Sequence, residues 1–101
     1  MNQLAVSVVL TTYQRSLLAK RALQSILEQS FSPSESIVVE DSGDTDLRVW
    51  LHHRGRDDIK YVRHDSPRGL AAARNTGRRL ASCDLIAYLV DDEQGRPRRV
   101  H

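Results

Sequence analysis

Short, mostly apolar segments of strand length alternate along the chain with segments whose apolar residues recur every three or four positions. The strand-length segments span residues 4–10, 36–40, 59–64 and 85–90. The first, LAVSVVL, has the β-branched, apolar composition of a strand buried on both faces. The helical spacing in between predicts helices that begin near Ser16, Asp44 and Leu70. This alternation indicates an α/β fold, a Rossmann-like parallel sheet of order β-α-β-α-β-α-β with right-handed crossovers.

Polar clusters follow directly after three of the four predicted strands. They are Thr11-Thr12-Tyr13, Asp41-Ser42-Gly43-Asp44 and Asp91-Asp92-Glu93. The carboxyl ends of parallel strands share one edge of the sheet, and the ligands of such sheets bind outside that edge. We therefore expect the three clusters to converge on one site.

The adjacent carboxylates Asp91 and Asp92 have two interpretations. They are hard oxygen ligands, suited to a divalent cation such as Mg²⁺ or Mn²⁺ that bridges to phosphate oxygens. An acidic turn in water or a helix N-cap explains them equally well.

Asp41 and Arg74 are candidate binding residues for separate reasons. Asp41 follows a buried strand, so its carboxylate could accept a hydrogen bond from a nucleobase imide or a ribose hydroxyl. An Asx-turn, in which it bonds its own backbone, fits its position equally well. Arg74 stands in a small, apolar stretch near a predicted helix start, where anions are favoured, although solvation is the commoner fate of an arginine.

Length and composition fit one small globular domain, with 101 residues, 40% of them apolar and 28% charged. No apolar run approaches the roughly 20 residues that span a bilayer, and the first ten residues lack the pattern of a secretory signal. The single cysteine, Cys83, excludes an internal disulfide and favours a reducing, cytoplasmic setting. We expect no transmembrane segment, and any membrane contact to be peripheral.

The sequence argues against nucleic-acid binding and against two classes of nucleotide-binding enzyme. The net charge of +2 comes with interspersed acidic residues and with only one Trp, three Tyr and one Phe, whereas nucleic-acid binders usually carry a basic face with aromatic residues. The motifs GxGxxG and GxxxxGKS/T are absent, which argues against a dinucleotide dehydrogenase and a P-loop NTPase.

Four blocks of the chain resemble, in order and with matching gaps, the N-terminal blocks of family 2 glycosyltransferases, which have the GT-A fold. They are VSVVLTTYQRSLLAKRALQSILEQSF, SIVVEDSGDTD, YVRHDSPRGLAAARNTGRRLAS and LIAYLVDDE. The resemblance runs from about Val6 to Pro97. It implies the N-terminal half of a GT-A fold that binds a nucleotide-diphosphate sugar, often a UDP-sugar, for inverting transfer to a glycan, lipid or protein acceptor.

The resemblance also implies roles for single residues. Thr11 and Tyr13 match the turn that contacts the base and the ribose. Asp41 matches the carboxylate that reads uracil, and Arg74 matches the arginine that lies near the base and the phosphates.

Asp91 and Asp92 match the end of the family's DXD metal motif. By this resemblance Asp91 approaches the ribose, and Asp92 coordinates a divalent cation, Mn²⁺ or Mg²⁺, on the diphosphate. Val90 stands where the motif has its first carboxylate, so the motif is incomplete, although some members resemble this VDD arrangement.

Members of the family continue well beyond this length, and the additional part provides the acceptor site and the carboxylate general base that inverting transfer needs. We therefore interpret residues 1–101 as a single truncated GT-A-like nucleotide-sugar-binding domain with no assignable catalytic residue.

The alternative is a non-catalytic, degenerate α/β module that acts through protein–protein contacts. A sheet that ends after its fourth strand leaves an exposed edge, which predicts self-association. A nucleotidyltransferase is disfavoured because no glycine-rich loop follows the first strand.

Overall fold

The computed structural model describes residues 5–13, 16–28, 35–42, 46–56, 58–91 and 97–100. Its elements are, in chain order, β1 (Val6–Thr12), α1 (Ser16–Glu28), β2 (Glu35–Glu40), α2 (Asp46–His53), β3 (Lys60–Arg63), α3 (Leu70–Leu80), β4 (Leu85–Asp91) and β5 (Pro97–Val100). The strands form one sheet in the spatial order β3-β2-β1-β4-β5. The first four strands pair in parallel, and β5 pairs with β4 in the antiparallel direction. The predicted α/β fold with a four-stranded parallel sheet is confirmed.

Two strands differ from the sequence-based expectation. β1 continues through Thr11 and Thr12, which are both buried, and Thr12 pairs in register with Glu40. β5 was not predicted, because its sequence PRRV has no apolar pattern. Its proline is tolerated because an edge strand does not need every N–H for pairing with a neighbouring strand. β5 pairs with β4 from Tyr88 to Asp91 and so covers part of the edge that was expected to be exposed.

The sheet has a hydrophobic core on each face, because successive residues of a strand point to opposite faces. The core against α1 and α2 contains Leu10, Ala19, Ala22, Leu23, Val38, Leu47, Leu51 and Ile59. The core against α3 contains Val9, Ile37, Val39 and Ala73. Within the described residues, no helix is long and apolar enough to cross a membrane.

The helix α3 approaches the sheet closely at Gly77. A Cβ atom at this position would overlap the side chain of Val9, which is fully buried. Ala73 and Gly77 are the buried residues of α3, and their small size permits this approach. The contact fixes the distance between α3 and β1.

At the amino-terminal edge of the sheet, the Glu35 carboxylate joins β2 to three other segments. Its Oε1 accepts hydrogen bonds from the Ser7 hydroxyl at 2.6 Å and from the Ser82 backbone N–H at 2.8 Å. Its Oε2 accepts one from the Ser82 hydroxyl at 2.8 Å and lies 2.7 Å from Lys60 Nζ. The hydrogen bond from Lys60, followed by that from Ser7, lowers the pKa of Glu35 to about 2.

We expect Gly77→Ala to destabilise the fold by about 1–3 kcal/mol, because the added methyl group must displace Val9 in a packed core. Asn75→Ala is the matched control, an exposed change in the same helix that should alter the free energy of unfolding by less than about 0.5 kcal/mol. Urea denaturation measures both values. A Gly77→Ala variant as stable as the unchanged chain would contradict the close contact.

The contacts of Glu35 predict that part of the stability is lost in acid. Its pKa falls from the usual 4.5 in the unfolded chain to about 2 in the folded chain, so its contribution is complete above pH 4.5 and is lost as the pH approaches 2. Because Lys60 is half exposed, we expect a contribution of only about 1–2 kcal/mol. Glu35→Gln should therefore have a flatter profile of unfolding free energy against pH in this range. Parallel profiles for the two proteins would refute the assignment.

Candidate functional site

The candidate site lies at the carboxyl edge of the sheet, on the face covered by α3. Val9 and Val39 belong to the core against α3, so by the two-residue repeat of a strand Thr11 and Asp41 point to the same face. The Asp41 N–H donates to the carbonyl oxygen of Thr12 at 2.8 Å, which joins the ends of β1 and β2. The first two of the predicted clusters therefore meet.

Both oxygens of the Asp41 carboxylate accept hydrogen bonds from the segment between β3 and α3. Oδ1 lies 2.7 Å from His64 Nδ1 and accepts the Arg68 N–H at 2.9 Å. Oδ2 accepts the Gly69 N–H at 2.8 Å. Burial by itself would raise the pKa of this carboxyl, but the hydrogen bonds from His64, Arg68 and Gly69 outweigh it and hold the pKa below its usual value. These donors are 23 to 28 residues away in the chain, so the contacts of Asp41 with the described residues are long-range. The Asx-turn considered from the sequence involves Gly43, which lies outside the described residues.

The Asp41 carboxylate binds the segment directly before α3. Gly69 precedes the helix with a φ of +95°, a conformation that favours glycine, and provides no side-chain cap. The carboxylate instead binds the N–H groups of Arg68 and Gly69. The contact therefore holds the loop before α3, and it places a negative charge near the helix N-terminus, where negative charge is favourable.

Thr11 and Arg74 each have a buried polar atom with no hydrogen-bond partner in the part of the chain that the structure describes. The atoms are Thr11 Oγ1 and Arg74 Nε. The guanidinium carbon of Arg74 lies 6.0 Å from the centre of the Tyr88 ring, and Tyr88 packs against the same core as Val9. Leaving a buried polar atom unpaired costs about 1–3 kcal/mol of stability. A polar ligand that pairs such an atom removes this cost, so these atoms favour ligand binding nearby.

Two of the other predicted site residues, Tyr13 and Asp91, lie at the ends of β1 and β4. Tyr13 follows β1 and is half exposed. Asp91 is the last residue of β4, and Asp92 lies outside the described residues. Among the described residues, no three His, Cys, Asp or Glu side chains are grouped so that they could hold a metal ion. The expectation of Mn²⁺ or Mg²⁺ thus rests on the donor chemistry of two adjacent carboxylates.

His64 belongs to this site, although the sequence did not single it out. The four histidines of the chain have no metal-ligand spacing, which made none of them a candidate. The His64 side chain is only 5% exposed and contacts both Asp41 and Thr76. Its position was the available indication, because it directly follows β3 as the polar clusters follow their strands.

A separate cavity of about 540 Å³ lies beside α2 and β3. Its lining includes Arg48, Leu51, Ile59 and Tyr61 and none of the predicted site residues. Leu51 and Ile59 belong to the core against α1 and α2, so this cavity is on the opposite face from Asp41.

The chain is similar to known proteins over most of its length. The family model described as glycosyl transferase family 2 matches residues 7–101. Validoxylamine A glucosyltransferase of Streptomyces hygroscopicus subsp. limoneus is 41% identical over an alignment of 88 residues that covers 83% of this chain and 19% of that protein. GalNAc(5)-diNAcBac-PP-undecaprenol beta-1,3-glucosyltransferase of Campylobacter jejuni is 30% identical over an alignment of 92 residues that covers 88% of this chain and 30% of that protein.

A solved structure with a similar fold is S. aureus TarS 1–349 in complex with UDP. It matches with a TM-score of 0.73 and 24% identity over 88% of this chain and 28% of the TarS chain. This similarity concerns the fold. The chain spans less than a third of the length of each of these three proteins.

We expect Thr11→Val to leave the unliganded protein at least as stable, because the hydroxyl that is removed has no partner among the described residues. Ser7→Ala is the matched control on the same strand. The Ser7 hydroxyl is bonded to Glu35 and accepts the Cys83 N–H at 3.2 Å, so its loss should cost about 1–3 kcal/mol. Denaturation in urea measures the free energy of unfolding of both variants. If Thr11→Val loses as much stability as Ser7→Ala, Thr11 has a structural role.

Proposed function

Since the chain belongs to glycosyl transferase family 2, we propose that it is the donor-binding part of an inverting glycosyltransferase. In this proposal residues 1–101 form a single truncated GT-A-like domain that binds a UDP-sugar for transfer to a glycan, lipid or protein acceptor. Two relatives are glucosyltransferases by name, and the similar TarS structure contains UDP, which supports this choice of donor.

One observation carries the proposal. Among the described residues, buried atoms of Thr11 and Arg74 have no partner, and they share the α3 face of the sheet with the Asp41 carboxylate, which has an acceptor position that no described residue uses. Ligands of open α/β sheets bind at the carboxyl ends of the strands, where Thr11 and Asp41 lie. A nucleotide bound there would supply both donors and acceptors to these atoms.

Asp41 is proposed to recognise the base or the ribose through Oδ2. A carboxylate oxygen has two lone pairs, and Oδ2 uses one of them for Gly69, whereas Oδ1 uses both for His64 and Arg68. The lowered pKa of Asp41 keeps the group an acceptor only. An imide N–H, as in uracil, or a ribose hydroxyl can donate to Oδ2, while a base that presents an acceptor at this point is repelled.

Arg74 and Tyr13 are proposed to contact the rest of the nucleotide. A guanidinium near a helix start suits the oxygens of a diphosphate, since charge-assisted hydrogen bonds are the strong ones. The half-exposed ring of Tyr13 offers an apolar surface at the end of β1 on which a base can stack.

Asp91 is proposed to approach the ribose, and Asp92 to hold Mn²⁺ or Mg²⁺. Carboxylate oxygens are the ligands that these hard cations prefer. A cation bound there would neutralise negative charge on the diphosphate leaving group. The general base and the acceptor site are not assigned to any residue of this chain.

A non-catalytic module is the second candidate, and Val90 in place of the first DXD carboxylate favours it. Such a module would self-associate through a sheet edge and would not bind a nucleotide.

The glycosyltransferase proposal includes a cytoplasmic location, because one unpaired cysteine suits a reducing compartment. Any contact with the membrane is proposed to be peripheral.

We expect UDP with Mn²⁺ to bind the chain and to stabilise it by about 2–3 kcal/mol when UDP is present at a hundredfold excess over its Kd. Titration calorimetry and thermal unfolding measure the two quantities. Arg74→Gln should weaken binding by about tenfold, because it removes a charge-assisted contact.

Arg79→Gln is the matched control, since Arg79 is an exposed arginine of the same helix. It should bind UDP as the unchanged chain does. Absence of UDP binding, together with self-association of the chain, would favour the non-catalytic module. Equal effects of the two arginine substitutions would contradict the role of Arg74.

A further inference from the structure

A continuous chain of hydrogen bonds links Asp41 to the middle of α3 through His64. The His64 ring lies between two partners, with Nδ1 2.7 Å from Asp41 Oδ1 and Nε2 2.8 Å from Thr76 Oγ1. The Thr76 hydroxyl is also 3.0 Å from the carbonyl oxygen of Ala72, one turn earlier in the helix. Both ring nitrogens are therefore engaged, one by Asp41 after β2 and one by Thr76 in α3.

The direction of the bond to Asp41 follows from the chemistry of its partners. An ionised carboxylate only accepts hydrogen bonds, so Nδ1 must carry the proton. The Thr76 hydroxyl fits either state of Nε2: it accepts from Nε2–H while donating to Ala72, or it donates to bare Nε2. The donor that faces Asp41 is thus the same in both cases.

The side chain of His64 is not needed for the pairing of its own strand. Its backbone N–H donates to the Glu40 carbonyl oxygen at 2.9 Å, and this bond does not depend on the side chain. The polar atoms of the ring are used on Asp41 and Thr76 alone. Replacing the ring therefore changes the orientation of a carboxylate and its link to a helix rather than the sheet.

We propose that His64 is a positioning residue of the nucleotide site. By occupying Oδ1 together with Arg68, it leaves Oδ2 as the carboxylate oxygen with an acceptor position that no described residue uses. Through Thr76 it also ties that carboxylate to the helix that carries Arg74, two residues away. The inference rests on the proposed function, because the site that His64 orders is the one assigned to the donor.

The test compares four variants of the chain. His64→Leu removes both polar contacts, and Thr76→Val removes only the contact to α3. His64→Asn keeps an N–H donor at the position of Nδ1, so it should restore the contact to Asp41. His53→Leu is the control, an exposed histidine at the end of α2.

Two measurements are made on each variant: the Kd for UDP with Mn²⁺, and the hydrogen exchange of the Arg68 and Gly69 amides without ligand. We expect His64→Leu to bind UDP about tenfold more weakly and to exchange these two amides about tenfold faster, while the amides of Val9 and Val38 keep their protection. His64→Asn should recover most of both effects, Thr76→Val should lie between, and His53→Leu should match the unchanged chain.

Unchanged amide exchange and UDP affinity in a folded His64→Leu would overturn the proposal. Equal losses in His64→Asn and His64→Leu would also overturn it, because they would mean that the ring acts by packing and not by donation. If His64→Leu does not fold, the same two measurements on His64→Asn and Thr76→Val test the proposal. If the unchanged chain binds no UDP, the proposed function fails, and the exchange of Arg68 and Gly69 still decides whether His64 positions Asp41.

Discussion

The Asp41 carboxylate is the contact on which the carboxyl edge of this molecule depends. It is buried after the end of β2 and receives hydrogen bonds from the His64 ring and from two backbone N–H groups of the loop directly before α3. A buried carboxylate is unfavourable unless such donors surround it. The donors keep it ionised, and the carboxylate in turn holds the loop that precedes the helix.

A second carboxylate, Glu35, has a comparable place at the opposite end of β2. It contacts Ser7, Lys60 and Ser82, so it joins the starts of three strands to the segment after α3. The two carboxylates differ in how many of their hydrogen-bond acceptor positions the protein uses. Both oxygens of Glu35 accept two contacts each, whereas Asp41 has an acceptor position that no described residue uses, on the same face of the sheet as the Thr11 hydroxyl. The amino edge therefore contributes stability, and the carboxyl edge keeps capacity for a ligand.

Apolar periodicity was enough to predict four parallel strands and three helices, because β-branched runs and helical stripes bury themselves against each other. It did not reveal β5, whose sequence PRRV has no apolar face. The position after each strand predicted that Thr11 and Asp41 share an edge, which the bond between Asp41 and Thr12 bears out. The donors to Asp41 were not predictable, since a contact between residues 23 apart depends on the register of β2 with β3.

The most direct test is to map UDP with Mn²⁺ onto the chain through the NMR shifts of its backbone amides. We predict that the largest shifts belong to residues 11–13, 41–42 and 68–74, around the carboxyl edge of the sheet. Shifts confined to the cavity beside α2, or no shifts at saturating UDP, would contradict a nucleotide site built around Asp41.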